Sequence, residues 1–460
     1  AFGPAAASGP AAAGALITGV TVDSRKVTPG QLFVAIAGER VDGHDYIASA
    51  FAAGAVAVLV TRPLPAAAGP QLVVEDPYTA LARLAGAVRT AADPVVIGIT
   101  GSTGKTSTKD LLAAVASVRW ETVASHRSEN NELGVPLTLL RALARPEVVV
   151  CEMGARGPGQ IAALCRYARP RIGVVTNVGV SHYELFGSAQ AIVDAKSELP
   201  ASLPAPGDGG VAVLNADDPT APGMAGATQA EVLTFGTGRE AWLRGESIEL
   251  DRQGRARFRM VRGAGQADIA LGVSGVHQVH NALAAGAAGL ALGLSLDDVA
   301  GGLARAQASP WRMEVSRART GAVIVNDAYN ANPTSVAAAL ETCAAMVPEG
   351  CRLLAVLGPM AELGAIEVAE HERVGRLAAK SVDRLVVVGE QALPLAAGAQ
   401  SAGLVDVVAI AAGGEGPGGG EGLPAAVAEA LGPAGPGDVI LIKASRVAGL
   451  ERVAARLVRG

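Results

Sequence analysis

The sequence predicts an α/β protein of three domains, in which strands and helices alternate along most of the chain. Its 460 residues exceed what one hydrophobic core supports. Hydrophobic residues make up 50% of the chain but aromatic residues only 3%, so the cores must be built mainly from Ala, Val and Leu. Short apolar runs alternate with Ala-rich segments of helical pattern, which is typical of sheets covered by helices.

The apolar runs divide the chain into three predicted domains. Residues 1–90 are expected to form a small N-terminal α/β domain. Residues 91–310 form a central parallel-sheet domain, and residues 311–460 form a C-terminal Rossmann-like domain. Strands of the central domain are predicted at 94–100, 147–153, 171–177 and 210–215.

Charge and cysteine content narrow the classes of partner. The net charge is -5, with both signs spread along the chain, so no basic face indicates nucleic acid or an anionic membrane surface. Small-molecule substrates are expected. Four cysteines without a C-x-x-C pair favour a reduced, cytoplasmic protein, and a monomer is expected.

Three segments of unusual composition have predicted roles. The first fifteen residues lack the basic start of a secretory signal, and a loose N terminus is expected. Residues 269–296 contain no charged side chain, but His277, Gln278, His280 and Asn281 favour a buried helix with a polar site over a membrane helix. The Gly-rich segment 413–422 predicts a mobile surface loop.

The segment IGITGSTGKTSTK, residues 97–109, predicts an ATP site. An apolar strand enters a glycine-rich turn, and a helical pattern follows. Backbone N–H groups of such a turn point at phosphate, Lys105 neutralises charge, and the Thr106 hydroxyl can bind Mg²⁺. Ile99 stands where the strict motif has its first glycine, and the alternative is a glycine turn with an incidental lysine. The predicted phosphate loop comprises Gly101, Ser102, Thr103, Gly104, Lys105, Thr106 and Ser107.

Polar residues at the ends of other apolar runs have two interpretations each. Glu152 is either a helix cap or salt-bridge partner, or a metal ligand, and His182 is either a structural histidine or a second ligand. Lys196 looks from its helical pattern like a solvated lysine. Arg312 and Asp327 form either an interdomain ion pair or nucleotide contacts.

These motifs together resemble the Mur ligase family, from about Thr21 to the C terminus. The segments that carry the resemblance include DSRKVTPGQLFVAIAGERVDGHDYI, TGSTGKTSTK, ENNELGVPLTLL, EMGARGPGQI, TNVGVSHYELFGS, AKSEL, NADDP, HQVHNALAA, DAYNANPTS, MAELG and LIKASR. The resemblance implies an ATP-dependent ligase that forms an amide bond through an acyl phosphate, with Mg²⁺ as cofactor.

Within the family, two branches are compatible with the N-terminal motifs. DAYNANP stands where the branch that adds one amino acid to a UDP-muramoyl dipeptide has a DYAHTP-like sequence, and no DNPR-like signature is present. This favours the branch that joins D-alanyl-D-alanine to UDP-N-acetylmuramoyl-tripeptide. The single-residue branch and a non-catalytic P-loop nucleotide switch are the alternatives.

The resemblance also implies site residues. Thr106 and Glu152 would hold a metal ion between the ATP phosphates, and His182 would serve a second one with Lys196, carbamylated by CO₂. The implied nucleotide contacts are His277, Gln278, Asn281, Arg312 and Asp327. The implied substrate contacts are Ser24 and Arg25 for the uridine diphosphate, Asn130 and Asn131 for the peptide, Tyr329, Asn330 and Asn332 at the domain junction, and Lys443, Ser445 and Arg446 for the dipeptide.

Overall fold

The protein contains three sheets, each at least partly covered by helices, in a computed structural model that describes residues 7–8, 16–38, 41–65, 69–180, 182–411 and 422–459. The predicted α/β class is therefore confirmed. Most of the N-terminal segment and all but the last residue of the Gly-rich segment lie outside the described residues. Within the described part, no helix has the length and apolar character needed to cross a membrane.

The N-terminal sheet has five strands in the order β1-β5-β4-β3-β2, of which only β1 is antiparallel to its neighbour. Its helix α2 (Pro77–Ala92) packs against two helices of the central domain, α4 (Gly134–Leu140) and α5 (Gln160–Ala168), and so joins the two domains. The elements are β1 (Ala7–Ser8), β2 (Gly19–Thr21), β3 (Gln31–Val34), α1 (Ile47–Ala52), β4 (Ala57–Val60), β5 (Gln71–Val73) and α2 (Pro77–Ala92).

The central sheet has nine strands in the order β14-β13-β12-β11-β10-β9-β6-β8-β7. Its strands are β6 (Val95–Thr100), β7 (Thr122–Ala124), β8 (Val148–Glu152), β9 (Ile172–Val175), β10 (Val211–Asn215), β11 (Glu231–Gly236), β12 (Leu243–Leu250), β13 (Arg255–Arg262) and β14 (Gly265–Ser274). Its helices are α3 (Lys105–Ala116), α4 (Gly134–Leu140), α5 (Gln160–Ala168), α6 (Tyr183–Phe186), α7 (Ala189–Ala201), α8 (Gln278–Ala291) and α9 (Leu296–Arg305).

The four strands predicted for this domain are confirmed as β6, β8, β9 and β10. The predicted parallel sheet is confirmed for β6 to β12, and β13 and β14 extend it in an antiparallel meander with β12 that the sequence analysis did not predict. In β13, buried Ala256, Phe258 and Met260 alternate with arginines, so one face of the meander packs on the core and the other faces solvent. Helix α8 confirms the predicted buried, uncharged helix, and its alanines and glycines allow close packing on the sheet.

The C-terminal sheet has six strands in the order β15-β16-β20-β17-β18-β19, with β15 alone antiparallel to its neighbour. Its strands are β15 (Glu314–Arg317), β16 (Val323–Asn326), β17 (Leu353–Leu357), β18 (Arg384–Val388), β19 (Val407–Ile410) and β20 (Val439–Lys443). Its helices are α10 (Pro333–Met346), α11 (Glu367–Ala378), α12 (Leu393–Ser401), α13 (Gly422–Leu431) and α14 (Glu451–Arg459).

The topology of the central sheet places the polar strand ends together. Strand β6 lies between β8 and β9, and all three run parallel. The turn after β6, Glu152 at the end of β8 and Asn177 after β9 therefore meet at one edge. Ligands of open α/β sheets bind at this edge.

Two adjacent glycines of α9 provide a test of how closely α9 packs on α3. A Cβ atom at Gly302 would lie 2.6 Å from the Cα atom of Val115, whereas at Gly301 the nearest atom would be 3.7 Å away, on the flexible Arg305 side chain. We expect Gly302→Ala to lower the free energy of unfolding by about 1–3 kcal/mol. Gly301→Ala should raise it by roughly 0.5–1 kcal/mol through helix propensity. Urea unfolding measures both, and equal effects would contradict the packing.

Candidate active site

A cleft of about 1050 Å³ lies between the central and C-terminal domains. The phosphate loop lines one side, and the segments after β16 and β20 line the other. Nearly all of the predicted catalytic, nucleotide and junction residues line this cleft. Ser24 and Arg25 do not, because they lie in the N-terminal domain, where the Arg25 side chain bonds Asp23 at 2.9 Å.

The phosphate loop depends on glycine at two positions. Gly101 has a φ of 147°, and a Cβ atom there would lie 1.9 Å from the Thr176 hydroxyl oxygen. Gly104 has a φ of 79°, and a Cβ atom there would lie 2.3 Å from Oδ1 of Asn281. Both the backbone conformation and the close neighbours therefore exclude side chains. Helix α3 starts directly after Gly104 and directs its N terminus into the cleft.

Asn177, which follows β9, fixes the loop from the side. Its Oδ1 accepts a hydrogen bond from the backbone N–H of Thr103 at 2.9 Å, and its Nδ2 donates to the Thr103 hydroxyl at 2.7 Å. Its backbone carbonyl accepts from the N–H of Ser102 at 3.0 Å. The loop is thus held in place by the neighbouring strand end.

Lys105 carries the positive charge of the loop. Its Nζ donates to the carbonyl oxygen of Gly101 at 2.7 Å, so the side chain folds back over the turn. Burial lowers the pKa of Lys105, Arg312 lowers it further, and Glu152 opposes both. The ammonium therefore has little solvation of its own to lose when it meets an anionic ligand.

Glu152 is a buried carboxylate whose two oxygens are both engaged. One accepts from the Thr106 hydroxyl at 2.8 Å and the other from Nδ2 of Asn130 at 2.8 Å. Arg312, from beyond the domain junction, donates to the same Thr106 hydroxyl at 2.8 Å. Asn130, predicted to contact the peptide, thus orients Glu152. Its neighbour Asn131 lies at the start of α4, where its Oδ1 accepts a hydrogen bond from the backbone N–H of Gly134 at 3.0 Å.

Lys196 is not the solvated helix lysine that its sequence pattern indicates. Its side chain is buried in α7, with 3% of its surface exposed, and it lines the floor of the cleft. Burial, and then the charge of Lys105, lower the pKa of Lys196 to about 7. A substantial fraction of this amine is therefore neutral at physiological pH.

His182 lies at the start of α6 with a φ of 58°. Its Nδ1 forms a hydrogen bond with the Glu362 carboxylate of the C-terminal domain. Burial lowers the pKa of His182, and Lys105 adds to this effect while Glu362 opposes it. The histidine thus connects the two walls of the cleft.

The start of α8 forms a polar patch beside the loop. Asn281 donates to Gln278 at 2.9 Å and accepts from the Thr108 hydroxyl at 3.3 Å. Burial lowers the pKa of His277 to about 4, and its Nδ1 is buried without a hydrogen-bond partner among the described residues. Three of the predicted nucleotide contacts, His277, Gln278 and Asn281, thus lie together beside the phosphate loop.

The C-terminal wall is organised around Lys443 and Tyr329. Lys443 is buried and donates to the Asp327 carboxylate at 2.5 Å and to the carbonyl of Asn330 at 2.9 Å. Asp327 therefore pairs with Lys443, and the alternative of an ion pair between Arg312 and Asp327 is not formed. The guanidinium groups of Arg312 and Arg446 lie 4.2 and 5.4 Å from the centre of the Tyr329 ring. The Tyr329 hydroxyl forms a hydrogen bond with Ser128 across the cleft.

Ser445 and Asn332, predicted to contact substrate, also have structural partners. The Ser445 hydroxyl accepts a hydrogen bond from the N–H of Ala361 at 2.9 Å. Oδ1 of Asn332 accepts from the backbone N–H of Ser335 at 2.9 Å and so caps α10. Their predicted substrate contacts, like those of the other site residues, stay predictions.

Three family models match successive parts of the chain. The Mur ligase family, catalytic domain model matches residues 16–89, the Mur ligase middle domain model 99–289, and the Mur ligase, glutamate ligase domain model 311–446. The UDP-N-acetylmuramoyl-tripeptide--D-alanyl-D-alanine ligase of Mycobacterium bovis is 43% identical over 96% of this chain and 92% of the relative. The chain belongs to the Mur ligase family.

Further relatives of this Mur ligase carry the same name or fold. The Escherichia coli ligase of that name is 37% identical over 81% of each chain. The crystal structure of MurF from Acinetobacter baumannii superposes with a TM-score of 0.83 at 31% identity, covering 96% of this chain and 94% of that one. MurF from Thermotoga maritima, solved with ADP, superposes with a TM-score of 0.81 at 28% identity, covering 97% and 98%.

Several residues of the cleft were missed by the sequence analysis of this Mur ligase. Asn177 lies at the end of a predicted strand, but the sequence analysis assigned it no role. Ser128 and Glu362 were not assigned, although Glu362 lies in the quoted segment MAELG. The contacts of both cross the domain junction, and no local sequence pattern shows which distant residue such a side chain will face.

We expect Asn177→Ala to weaken ADP binding about tenfold, because the phosphate loop loses hydrogen bonds worth about 0.5–1.5 kcal/mol each. Titration with a fluorescent ADP analogue measures this. Gln266→Ala, at an exposed position of β14, is the matched control and should bind normally. Unchanged affinity in Asn177→Ala would show that the loop keeps its shape without this side chain.

Proposed function

We propose that this protein joins D-alanyl-D-alanine to UDP-N-acetylmuramoyl-tripeptide with the hydrolysis of ATP to ADP and phosphate. The observation that carries the proposal is a phosphate loop, a buried carboxylate and a buried lysine of low pKa that meet in one interdomain cleft. The names of relatives at 43% and 37% identity agree with it.

The reaction requires activation because a carboxylate is a poor electrophile with no leaving group. In the proposed first step, a carboxylate oxygen of the tripeptide attacks the γ-phosphorus of ATP, and the bond from that phosphorus to the bridging oxygen of ADP breaks. In the second, the neutral amine of D-alanyl-D-alanine attacks the carbonyl carbon. The tetrahedral intermediate then expels phosphate, and the amine nitrogen loses its proton as the amide forms.

The residues of the cleft support the first step by offsetting negative charge. Lys105 lies in the phosphate loop, and Arg312 reaches the same point from the C-terminal side, where it bonds Thr106. Fixed cations in a partly desolvated cleft stabilise charge that develops on transferring phosphoryl oxygens. Closure of the two domains therefore places one cation from each wall beside the reacting groups.

The donor set near Thr106 suits Mg²⁺. The Thr106 hydroxyl and the Glu152 carboxylate, 2.8 Å apart, are hard oxygen ligands next to the phosphate loop, and Mg²⁺ prefers such ligands together with substrate phosphates. Bound there, Mg²⁺ would neutralise phosphate charge as a Lewis acid. Among the described residues, no group of three or more His, Cys, Asp and Glu side chains could hold a metal ion.

A carbamate on Lys196 would add the missing anionic ligand for a second metal ion beside His182. The neutral amine attacks the carbon of CO₂, a C–N bond forms, and one proton is released to give a carbamate anion. A pKa of about 7 supplies the neutral amine that this addition needs. A buried cation beside Lys105 would thereby become an anion, which removes a like-charge repulsion.

We also propose that the protein works in the cytoplasm as a monomer, without nucleic acid or membrane partners. The balanced charge supports this, as do cysteines that form no disulfide among the described residues.

A coupled phosphate-release assay tests the proposed function. We expect release only when UDP-N-acetylmuramoyl-tripeptide, D-alanyl-D-alanine and ATP are all present. Lys105→Ala should reduce it at least about 100-fold, as expected for the loss of a charge-stabilising group. Lys380→Ala, at an exposed lysine, is the control. Release with the UDP-muramoyl dipeptide and a single amino acid would favour the other branch, and slow release that needs neither substrate would favour a nucleotide switch.

We expect Lys196→Ala to lose activity by at least about tenfold, with partial restoration by a small added carboxylate that replaces the carbamate. At fixed dissolved CO₂, wild-type activity should rise with pH through about 7, because the neutral amine increases above its pKa. Lys380→Ala should retain this profile. Wild-type activity in Lys196→Ala would contradict the carbamate, and failure of the added carboxylate to restore activity would weaken it.

A further inference from the structure

The most unusual contact between the two domains joins His182 to Glu362. Neither residue is glycine, yet both have left-handed backbone conformations, with φ values of 58° and 63°. Such conformations are unfavourable for residues with side chains, and they persist where the surrounding structure imposes them. The two strained residues face each other across the cleft.

The C-terminal domain fixes the loop that carries Glu362. The N–H of Met360 donates to Nε2 of His371 at 3.0 Å, and the N–H of Ala361 donates to the Ser445 hydroxyl at 2.9 Å. His371 is fully buried, and its Nδ1 lies 2.8 Å from the carbonyl of Glu367, which identifies Nδ1 as the protonated nitrogen. Hydrogen bonds therefore hold the loop to the C-terminal domain up to the residue before Glu362.

The central domain receives this loop through several contacts. The backbone N–H of Glu184 donates to the carbonyl of Glu362 at 3.2 Å, and Nη2 of Arg156 lies 3.8 Å from its Oε1. A Cβ atom at Gly364 would lie 2.9 Å from the Cβ of Glu184, so the chain there lies directly against α6. The Glu362 carboxylate reaches the His182 ring at Nδ1, which leaves Nε2 as the nitrogen available to another ligand.

We propose that Glu362 is a positioning residue that orients His182 as a metal ligand, so that the second metal site is completed only when the C-terminal domain docks. The inference rests on the proposed function, in which His182 serves that metal. A histidine that binds a metal through one nitrogen commonly donates from the other to a carboxylate, which fixes the ring and raises its basicity. Here that carboxylate comes from a different domain.

This arrangement gives domain closure a chemical consequence. When the domains separate, His182 loses its carboxylate partner and its fixed orientation. Metal affinity at this site and docking of the C-terminal domain are then coupled, and each favours the other.

Mn²⁺ titration of the full chain, followed by the electron paramagnetic resonance of free Mn²⁺ at fixed dissolved CO₂, tests the proposal. His182→Ala identifies the class of bound Mn²⁺ that depends on this histidine. Glu362→Gly removes the carboxylate at a backbone angle that glycine favours, so the fold should be retained, and thermal unfolding checks this. We expect Glu362→Gly to weaken the binding of this His182-dependent Mn²⁺ about tenfold or more.

Glu362→Gln should weaken the binding of the same Mn²⁺, because the negative charge of the side chain is lost while its shape is kept. Glu349→Gln, which removes an exposed charge from the same domain, is the control and should bind normally. In the His182→Ala background, Glu362→Gly should have no further effect on Mn²⁺ binding. Unchanged affinity in Glu362→Gly, or an equal loss in both backgrounds, would overturn the positioning role. Because no substrate is present, this result is independent of the ligase assay.

Discussion

Repulsion between two anions is the constraint on which this structure depends. In the proposed reaction a carboxylate must approach the γ-phosphate of ATP, and two like unit charges 4 Å apart repel each other by about 4 kcal/mol at an effective dielectric constant of 20. Lys105 and Arg312 supply fixed positive charge at this point, one from each side of the cleft. The order of the central strands, with β6 between β8 and β9, brings the phosphate loop, Glu152 and Asn177 to the same edge.

Residues of the central and C-terminal domains together form the site. Among the contacts that cross the junction, Arg312 bonds Thr106, Tyr329 bonds Ser128, and Glu362 bonds His182. Each connects a residue at the edge of the C-terminal sheet to one beside the phosphate loop or the buried lysine. Docking of the C-terminal domain therefore affects the charge beside Thr106, the packing of Tyr329 and the orientation of the His182 ring together. Among the described residues, none of the N-terminal domain lines this cleft, and the uridine diphosphate contacts of Ser24 and Arg25 stay predictions.

Local patterns in the sequence were sufficient for much of the fold and for the centre of the site. The strand, glycine turn and lysine of 97–109 predicted the phosphate loop, because that function depends on neighbouring residues. The meander of β12 to β14 was missed although β13 alternates apolar and charged residues. The local sequence could not predict the environment of Lys196 either, because its low pKa depends on burial in α7 and on Lys105, which is far away in sequence. Glu362 could not be assigned for the same reason: its partner lies 180 residues away.

The fate of one carboxylate oxygen shows whether the substrate carboxyl group is phosphorylated. The terminal carboxylate of the UDP-linked tripeptide is labelled with ¹⁸O, the complete reaction is run, and the released phosphate is analysed by mass spectrometry. Formation of an acyl phosphate at the loop after Ile99 predicts one ¹⁸O atom in each phosphate released. Unlabelled phosphate would show that the carboxylate never received the phosphoryl group.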